Sequence, residues 1–209
     1  MNAEMTGMAV GVVGVGGAGC NMLSVWGGLT LPNLDTAAID TDAQTLESCG
    51  VAASLLVGQD VLSGRGAGGD VHAAREAMRR ERDKLDDILP PCEMLFVLTG
   101  LGGGTGSGAS AVVADWGRAR GMAVVAVASL PFFFEGPQRR RVAEENLQTL
   151  KSAADAVICL PNQRMCDWVD SSTPLVEAFG RVNGMVAKTI SALLDLLRRR
   201  GIINVTFND

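Results

Sequence analysis

Short apolar segments alternate along the chain with longer segments in which hydrophobic residues recur at helical spacing. Six apolar segments are rich in Val, Ile and Ala, and they occupy residues 8–15, 36–40, 53–58, 93–100, 122–130 and 156–161. Nearly continuous hydrophobicity is typical of strands covered on both faces, and regular alternation with helices is typical of βα units. The pattern therefore predicts an α/β fold in three layers, with a mostly parallel sheet and helices on both faces.

Capping residues and prolines mark the ends of the predicted helices. Asp70 is expected to cap a charged helix that extends to residue 89, and Pro137 is expected to begin another. A long helical segment starts after Pro174 and ends before Gly201, and we expect the glycines within 180–184 to divide it in two. A last short strand is predicted at residues 202–207.

Composition indicates a folded protein in one domain. The chain has 209 residues, of which 47% are hydrophobic and 20% charged, and it contains no internal repeat or low-complexity linker. Its apolar runs, such as residues 122–134, are shorter than the ~20 residues that a membrane helix needs, and no secretion signal opens the chain. We expect a single domain over residues 1–209, a cytoplasmic location and no direct membrane insertion.

Charge and cysteine usage exclude several classes of function. The net charge of −5 argues against nucleic acid as a partner, because a broad positive field is missing. The single histidine, His72, lies in a polar helical segment, which disfavours a Ser-His-Asp hydrolase. The cysteines form neither a CxxC pair nor a His/Cys cluster, so we expect reduced thiols rather than a metal site or disulfides at positions 20, 49, 92, 159 and 166.

The first glycine-rich loop, GVGGAGCN at residues 14–21, fits G-x-G-x-x-G between a strand and a helix. This arrangement brings backbone N–H groups close to a phosphate. The motif alone also fits a Rossmann-like dinucleotide fold, with Asp40 or Asp42 as the acidic partner of the ribose. An NAD-dependent dehydrogenase is therefore one alternative at this point.

The second loop, LTGLGGGTGSGAS at residues 98–110, has six glycines in thirteen positions. It is not a P-loop, because Ala109 occupies the lysine position of G-x-x-x-x-G-K-[ST]. The three lysines of the chain are not beside a glycine loop, so backbone N–H groups, helix ends, arginine and a metal ion must balance phosphate charge. Two such loops favour a polyphosphate held from two sides, and the alternative is a tight turn in which backbones only pack closely.

These segments resemble the tubulin/FtsZ family, and more closely bacterial FtsZ than eukaryotic tubulin. The second loop is similar to the signature GGGTG[ST]G, and the first is similar to the family's first phosphate loop. The similarity continues, in order along the chain, through DTDAQTL (40–46), GRGAGGD (64–70), PFFFEGPQRRR (131–141), LPNQR (160–164) and TPLVEAFGRVNG (173–184).

The resemblance implies a Rossmann-like nucleotide-binding domain that holds GTP or GDP with Mg²⁺. Phosphate contacts are implied for Gly16, Gly17, Gly19, Ala67, Gly68, Gly102, Gly103, Gly104, Thr105, Gly106, Ser107 and Gly108. Ribose, phosphate and base contacts are implied for Glu135, Arg139, Asn162, Asn21, Asn183 and Phe179. Asp42 and Gln44 are implied neighbours of a hydrated Mg²⁺, which usually retains waters and substrate phosphates as ligands.

The resemblance also implies a cytoskeletal GTPase that self-associates head to tail. Hydrolysis would be completed in trans by Asn204 and Asp209, although Thr206 replaces an acidic residue of the family pattern. Two further departures are Asp40 in place of the usual Asn, and Gly184 in place of a polar residue near the base. The family's C-terminal domain is not expected within residues 1–209. The alternative is a regulatory module with little hydrolysis, which caps or co-assembles with a full-length FtsZ-like protein.

Overall fold

Six parallel strands form one sheet in the computed structural model, which describes residues 8–24, 33–167 and 173–198. The order across the sheet is β3-β2-β1-β4-β5-β6, and every neighbouring pair is parallel. The strands are β1 (Val10–Val15), β2 (Leu34–Asp40), β3 (Ala53–Leu56), β4 (Met94–Gly100), β5 (Ala123–Leu130) and β6 (Ala156–Pro161). The predicted α/β fold with a parallel sheet is confirmed.

Helices cover both faces of this sheet. They are α1 (Gly16–Ser24), α2 (Ala43–Cys49), α3 (Gln59–Leu62), α4 (Val71–Arg80), α5 (Leu85–Ile88), α6 (Gly104–Ala119), α7 (Pro137–Ala153) and α8 (Leu175–Arg198). Short 3₁₀ helices occupy Arg82–Lys84, Phe133–Glu135 and Asn162–Asp167. None of the helices in the described ranges has both the length and the apolar character needed to cross a bilayer.

Alternate residues of the central strand β1 face two separate hydrophobic cores. Val13 and Val15 belong to a core built with α4, α5, α6 and α7, whereas Val10 and Val12 belong to a core built with α1, α2 and α8. All six residues of β1 are buried. Two cores on opposite faces of one sheet are the reason why the central strands read as continuous apolar runs.

The edge strands depart from the expected burial. β3 and β6 contain exposed and half-buried residues, and Ile158 of β6 is 40% exposed. The expectation that all six strands are covered on both faces is therefore wrong for these two. Each edge strand has a neighbour on one side only, and the helices pack mainly over the middle of the sheet.

The predicted charged helix begins as expected but ends early. Asp70 caps α4, since its Oδ1 accepts a hydrogen bond from the Ala73 N–H at 2.9 Å. The helix stops at Arg80 rather than at residue 89. Glu81 leaves the helical conformation, and its Oε1 accepts a hydrogen bond from the Gly58 N–H at 2.7 Å. This tertiary contact attaches the end of α4 to the segment after β3. The periodicity of hydrophobic residues along the sequence cannot predict such a contact.

The two glycines of α8 do not divide it. The helix runs without a break from Leu175 to Arg198, so the prediction of a division within 180–184 is wrong. An interior glycine costs about 1 kcal/mol relative to alanine, while the buried Val186, Ala187 and Ile190 anchor this helix in a core. Packing thus outweighs the local propensity. The predicted strand at 202–207 lies outside the described residues.

Replacement of Gly108 by alanine tests the packing between α4 and α6. A Cβ at Gly108 would overlap the carbonyl oxygen of Val71 and lie 2.9 Å from the Ala74 Cβ. We expect Gly108→Ala to lower the free energy of unfolding by about 1–3 kcal/mol. Gly184→Ala is the matched control, because a Cβ there meets nothing within 4 Å and should stabilise the helix by up to about 1 kcal/mol. Urea denaturation measures both changes, and equal effects would contradict this packing.

Candidate functional site

The N-terminal ends of α1 and α6 meet above the carboxyl ends of β1 and β4. Gly16, the first residue of α1, has φ +75°, and a Cβ on it would lie 2.8 Å from the Gly106 backbone nitrogen. Neither helix has an acidic residue in its first turn, and Gly103 caps α6 without a side-chain hydrogen bond. Two positive helix ends therefore converge at the edge of the sheet where ligands collect in open α/β folds.

A cavity of about 590 Å³ opens at this point, within the range of small-molecule sites. Most of the residues with predicted nucleotide contacts lie together in its wall. They are Gly16, Gly17, Asn21, Gly103, Gly104, Thr105, Gly106, Glu135, Arg139, Asn162, Phe179 and Asn183. The structure thus brings together residues from five separate sequence motifs.

Four residues with predicted phosphate contacts, Gly19, Gly102, Ser107 and Gly108, are not among those that line the cavity. A Cβ at Gly19 would overlap the carbonyl oxygen of Leu98, so this glycine lets α1 pack onto β4. Gly108 packs against α4, as described above. The Ser107 hydroxyl accepts a hydrogen bond from the Gly102 N–H at 2.9 Å and is buried. The geometry gives these residues roles in shaping the loop, with Gly102 at φ +103° in the bend that precedes α6.

The segment 64–70 approaches the same helix end from the other side. A Cβ at Gly104 would lie 2.9 Å from the Ala67 Cβ, and Gly68, with φ +56°, follows directly. Asp42 pairs with this segment through a bridge to Arg65 and caps α2, because its Oδ1 accepts from the Gln44 N–H at 2.9 Å. These residues border the cavity without lining it.

Two buried threonines, Thr41 and Thr99, form a hydroxyl network at the cavity that was not predicted from the sequence. Thr41 lies with its Oγ1 2.7 Å from the Oγ1 of Thr105, and both residues are buried. The Thr99 hydroxyl has one hydrogen and two acceptors within reach. They are the carbonyl oxygens of Val15, at 3.3 Å, and Gly106, at 3.1 Å. Both missed threonines stand at the carboxyl end of a predicted strand, which is the signal that could have identified them.

Asp40 is a buried carboxyl group next to this network. Its Oδ1 accepts hydrogen bonds from the N–H groups of Thr41, at 2.6 Å, and Asp42, at 3.2 Å. Burial raises the pKa of Asp40 above its usual value, although these hydrogen bonds and one from Thr105 oppose the effect. The family-atypical aspartate therefore places an ionisable group directly below the candidate phosphate loop.

Arg139 and Glu135 form an ion pair in the cavity wall, with 2.9 Å between Nη1 and Oε2. The other carboxylate oxygen of Glu135 accepts from the Phe132 N–H at 2.8 Å. Arg140 and Arg141 bind glutamates one turn further along α7, at 3.1 and 2.8 Å. All three arginines at this helix end are therefore paired with acidic side chains of the chain itself.

The opposite end of the cavity is formed by Phe179, Asn183 and Asn21. The Phe179 ring packs edge-on against Phe132 with 5.6 Å between centroids, which fixes its orientation. Asn183 donates from Nδ2 to the backbone carbonyl oxygen of Asn21 at 3.3 Å. Its amide oxygen and the Asn21 side chain are left to recognise the polar edge of a planar ligand.

A second, larger cavity of about 830 Å³ lies on the far side of α4. It is lined by side chains of α3 and α4, among them Asp60, His72 and Glu76. No glycine-rich loop or converging helix end reaches it, so we assign the site to the smaller cavity. The described residues contain no group of three or more His, Cys, Asp or Glu side chains that could hold a metal ion. Asn204 and Asp209, the predicted catalytic residues, lie outside the described residues.

Replacement of Asp40 by asparagine tests the cost of this buried carboxyl group. A raised pKa means that the fold favours the neutral form, so stability is lost as the pH rises from the unfolded pKa to the folded one. Asparagine keeps the acceptor oxygen without the charge. We expect Asp40→Asn to stabilise the nucleotide-free protein at pH 7, by about 1.4 kcal/mol for each tenfold weakening of the acid.

Thermal unfolding from pH 3.5 to pH 7.5, in EDTA, measures this difference. The gain should vanish as the pH falls below about 4, where an unfolded aspartate is protonated. Asp35→Asn is the matched control, since it removes the same charge from an exposed position on β2. A gain that does not depend on pH would contradict the assignment.

Known proteins match most of the chain. The model of the tubulin/FtsZ family GTPase domain matches residues 9–170. The cell division protein FtsZ of Azotobacter vinelandii is 34% identical over 198 residues, which cover 95% of this chain and 50% of that protein. FtsZ of Pseudomonas putida is 33% identical over the same coverage. The chain thus spans about half the length of these curated relatives.

Solved structures give the same result. An empty FtsZ dimer from M. jannaschii matches with a TM-score of 0.87 and 34% identity, over 98% of this chain and 60% of that one. CetZ2 from Haloferax volcanii, in a GTPγS-bound protofilament, matches with a TM-score of 0.81 and 27% identity, over 93% and 60%. These matches give no support to the NAD-dependent dehydrogenase considered above. The phosphate loops, the sheet order and the matched segment agree, and the chain belongs to the tubulin/FtsZ family through its GTPase domain.

Proposed function

We propose that the chain binds GTP and GDP in the 590 Å³ cavity and hydrolyses GTP slowly unless subunits associate head to tail. The observation that carries this proposal is the contact between the N-terminal ends of α1 and α6, which presents two sets of backbone N–H groups to one ligand. Anions bind at such helix ends because the donors are unpaired and the local dipole is positive. A triphosphate lying across both ends would use them together.

The cavity wall divides into a phosphate end and a base end. At the phosphate end, Gly103–Gly106 and Gly16–Gly17 offer main-chain donors, and Arg139 adds a cation. Phe179 offers an aromatic face to the purine, and Asn21 and Asn183 offer amides to its edge. Glu135 and Asn162 also line the cavity, and they would bind the ribose hydroxyls. Gly184 contributes no polar group, so guanine selectivity rests on the two asparagines.

Asp42 fits an indirect role toward Mg²⁺. One of its carboxylate oxygens caps α2, which leaves Oδ2 to accept from a metal-bound water. The described residues offer no cluster of ligands for a directly bound ion, and Mg²⁺ commonly takes phosphates and waters as its ligands. The ion would neutralise phosphate charge, with Asp42 and the exposed Gln44 orienting its waters.

Hydrolysis would be completed by a neighbouring subunit. In that reaction, water attacks the terminal phosphorus, the bond to the bridging oxygen breaks, and GDP leaves. Asn204 and Asp209 of the next subunit would position the water, as the family resemblance implies. The CetZ2 protofilament with GTPγS supports stacking around a bound nucleotide in a related protein.

Nucleotide binding is measured by thermal unfolding with added ligand. GTP at a hundred times its Kd should stabilise the fold by about 2.7 kcal/mol, whereas NAD at the same concentration should not. Arg139→Ala should weaken GTP binding about tenfold, because a charge-assisted contact is lost. Arg141→Ala is the matched control, since Arg141 pairs with Glu145 outside the cavity and its loss should leave the affinity unchanged. Stabilisation by NAD alone would overturn the proposal.

Trans catalysis is measured as phosphate release against protein concentration. The rate per subunit should rise with concentration, and Asp209→Ala should lower it about a hundredfold while GTP binding persists. Mixing Asp209→Ala, which keeps its nucleotide site, with Arg139→Ala, which keeps residue 209, should restore part of the activity. Binding without turnover at any concentration would contradict trans catalysis and favour the regulatory module that co-assembles with a full-length FtsZ-like protein.

A further inference from the structure

Thr41 is a buried residue whose backbone is fixed on both sides. It directly follows β2, and none of its surface is exposed. Its N–H donates to the Oδ1 of Asp40 at 2.6 Å, and its carbonyl oxygen accepts from the Gly66 N–H at 3.0 Å. A β-branched side chain also has few accessible χ1 rotamers. The hydroxyl group of Thr41 therefore has a well-defined position.

The Thr41 hydroxyl has one partner, the hydroxyl of Thr105. Their Oγ1 atoms are 2.7 Å apart, a distance at which either atom could donate. No other residue in the described ranges accepts from or donates to the Thr41 hydroxyl. If Thr105 donated, the Thr41 hydrogen would be buried without an acceptor, which is costly. Thr41 is therefore the donor, and Thr105 is the acceptor.

The same contact decides which way the Thr105 hydroxyl points. A threonine in a helix has two accessible χ1 rotamers, because its hydroxyl can bond a carbonyl oxygen of the preceding turn. Thr105 is the second residue of α6, and within the described part of the chain its hydroxyl makes no hydrogen bond of that kind. Its Oγ1 is held by Thr41 instead, and the residue lines the cavity.

The hydrogen of the Thr105 hydroxyl is left to bond a third group. Among the described residues, that group is the carboxyl of Asp40. A phosphate group in the cavity offers acceptor oxygens, so it would compete with Asp40 for this hydrogen. Thr105 thus presents a donor to a ligand rather than a lone pair, because Thr41 already occupies its oxygen.

We propose that Thr41 is a positioning residue for nucleotide binding, which directs the Thr105 hydroxyl to donate to a phosphate oxygen. The inference rests on the proposed function and adds to it a residue that does not line the cavity. Thr41 acts through Thr105, the one group that its hydroxyl reaches among the described residues. Loss of such a supporting contact lowers affinity even though every atom that touches the ligand is still present.

A double-mutant cycle tests this inference, with the GTP affinity measured by calorimetry on the full chain in EDTA, where hydrolysis is suppressed. Thr105→Val should weaken GTP binding about three- to tenfold, the loss expected for one hydrogen bond. Thr41→Val should weaken it by a similar factor on its own. In a chain that already carries Thr105→Val, it should weaken binding by less than about twofold, because the two hydroxyls act as one unit.

Two further variants separate positioning from a general effect on the fold. Thr41→Ser keeps the hydroxyl and should bind GTP within about twofold of the unmodified chain. Thr36→Val is the matched control, since Thr36 lies near the start of β2 and does not line the cavity. This change removes the same group from the same strand, and it should leave the GTP affinity unchanged.

An equal loss of affinity from Thr41→Val in both backgrounds indicates a general effect on the fold and overturns this inference. No loss from Thr41→Val or from Thr105→Val overturns it as well. Thermal unfolding without nucleotide shows whether each variant is folded, and Thr41→Ala replaces Thr41→Val in the cycle if the latter is not. In these cases GTP binding by the unmodified chain leaves the proposed function standing. Absence of that binding overturns the proposed function, and this inference with it.

Discussion

The close approach of two helix ends is the constraint on which the site depends. A side chain at Gly16 would meet the backbone of Gly106 and push α1 and α6 apart, whereas a side chain at Gly106 would collide with the Gly100 carbonyl oxygen at the end of β4. Gly19 lets α1 rest on β4, and Gly108 lets α4 rest on α6. The glycines of both loops therefore determine the spacing of the helices, and this role does not depend on a bound ligand. Where the main-chain N–H groups point is a result of this packing.

Polar side chains hold that arrangement from below and from the rim. Thr99 accommodates the α6 loop by bonding the Gly106 oxygen, and Thr41 meets Thr105 across the floor of the cavity. Asp40 satisfies two backbone donors at the cost of a buried carboxyl group. At the rim, Glu135 and Arg139 neutralise each other, which leaves fewer free cations than the sequence suggests.

The sequence predicts those features that depend on neighbours along the chain. Hydrophobic runs predict the six strands, and local signals such as capping residues and glycine motifs predict the Asp70 cap and the glycine-rich loops. It fails where tertiary contacts decide the outcome. Glu81 ends α4 because it reaches Gly58, and α8 passes through Gly184 because its buried face is anchored in a core. Within the site, residue types marked the cavity wall, but not whether Gly19, Ser107 and Gly108 face a ligand or a neighbouring element.

Recognition by main-chain atoms has a consequence for inhibitors. A compound that mimics phosphate and binds the ends of α1 and α6 would touch atoms that no substitution removes. Replacing Gly16 to block it would disturb the contact between α1 and α6, and replacing Gly106 would disturb the packing of α6 on the end of β4, so either change would also disturb binding of the proposed nucleotide. Resistance would arise more easily against compounds that rely on the Phe179 end, where side chains supply the contacts. Fewer substitutions are therefore expected to give resistance to a compound that binds the phosphate end of the cavity.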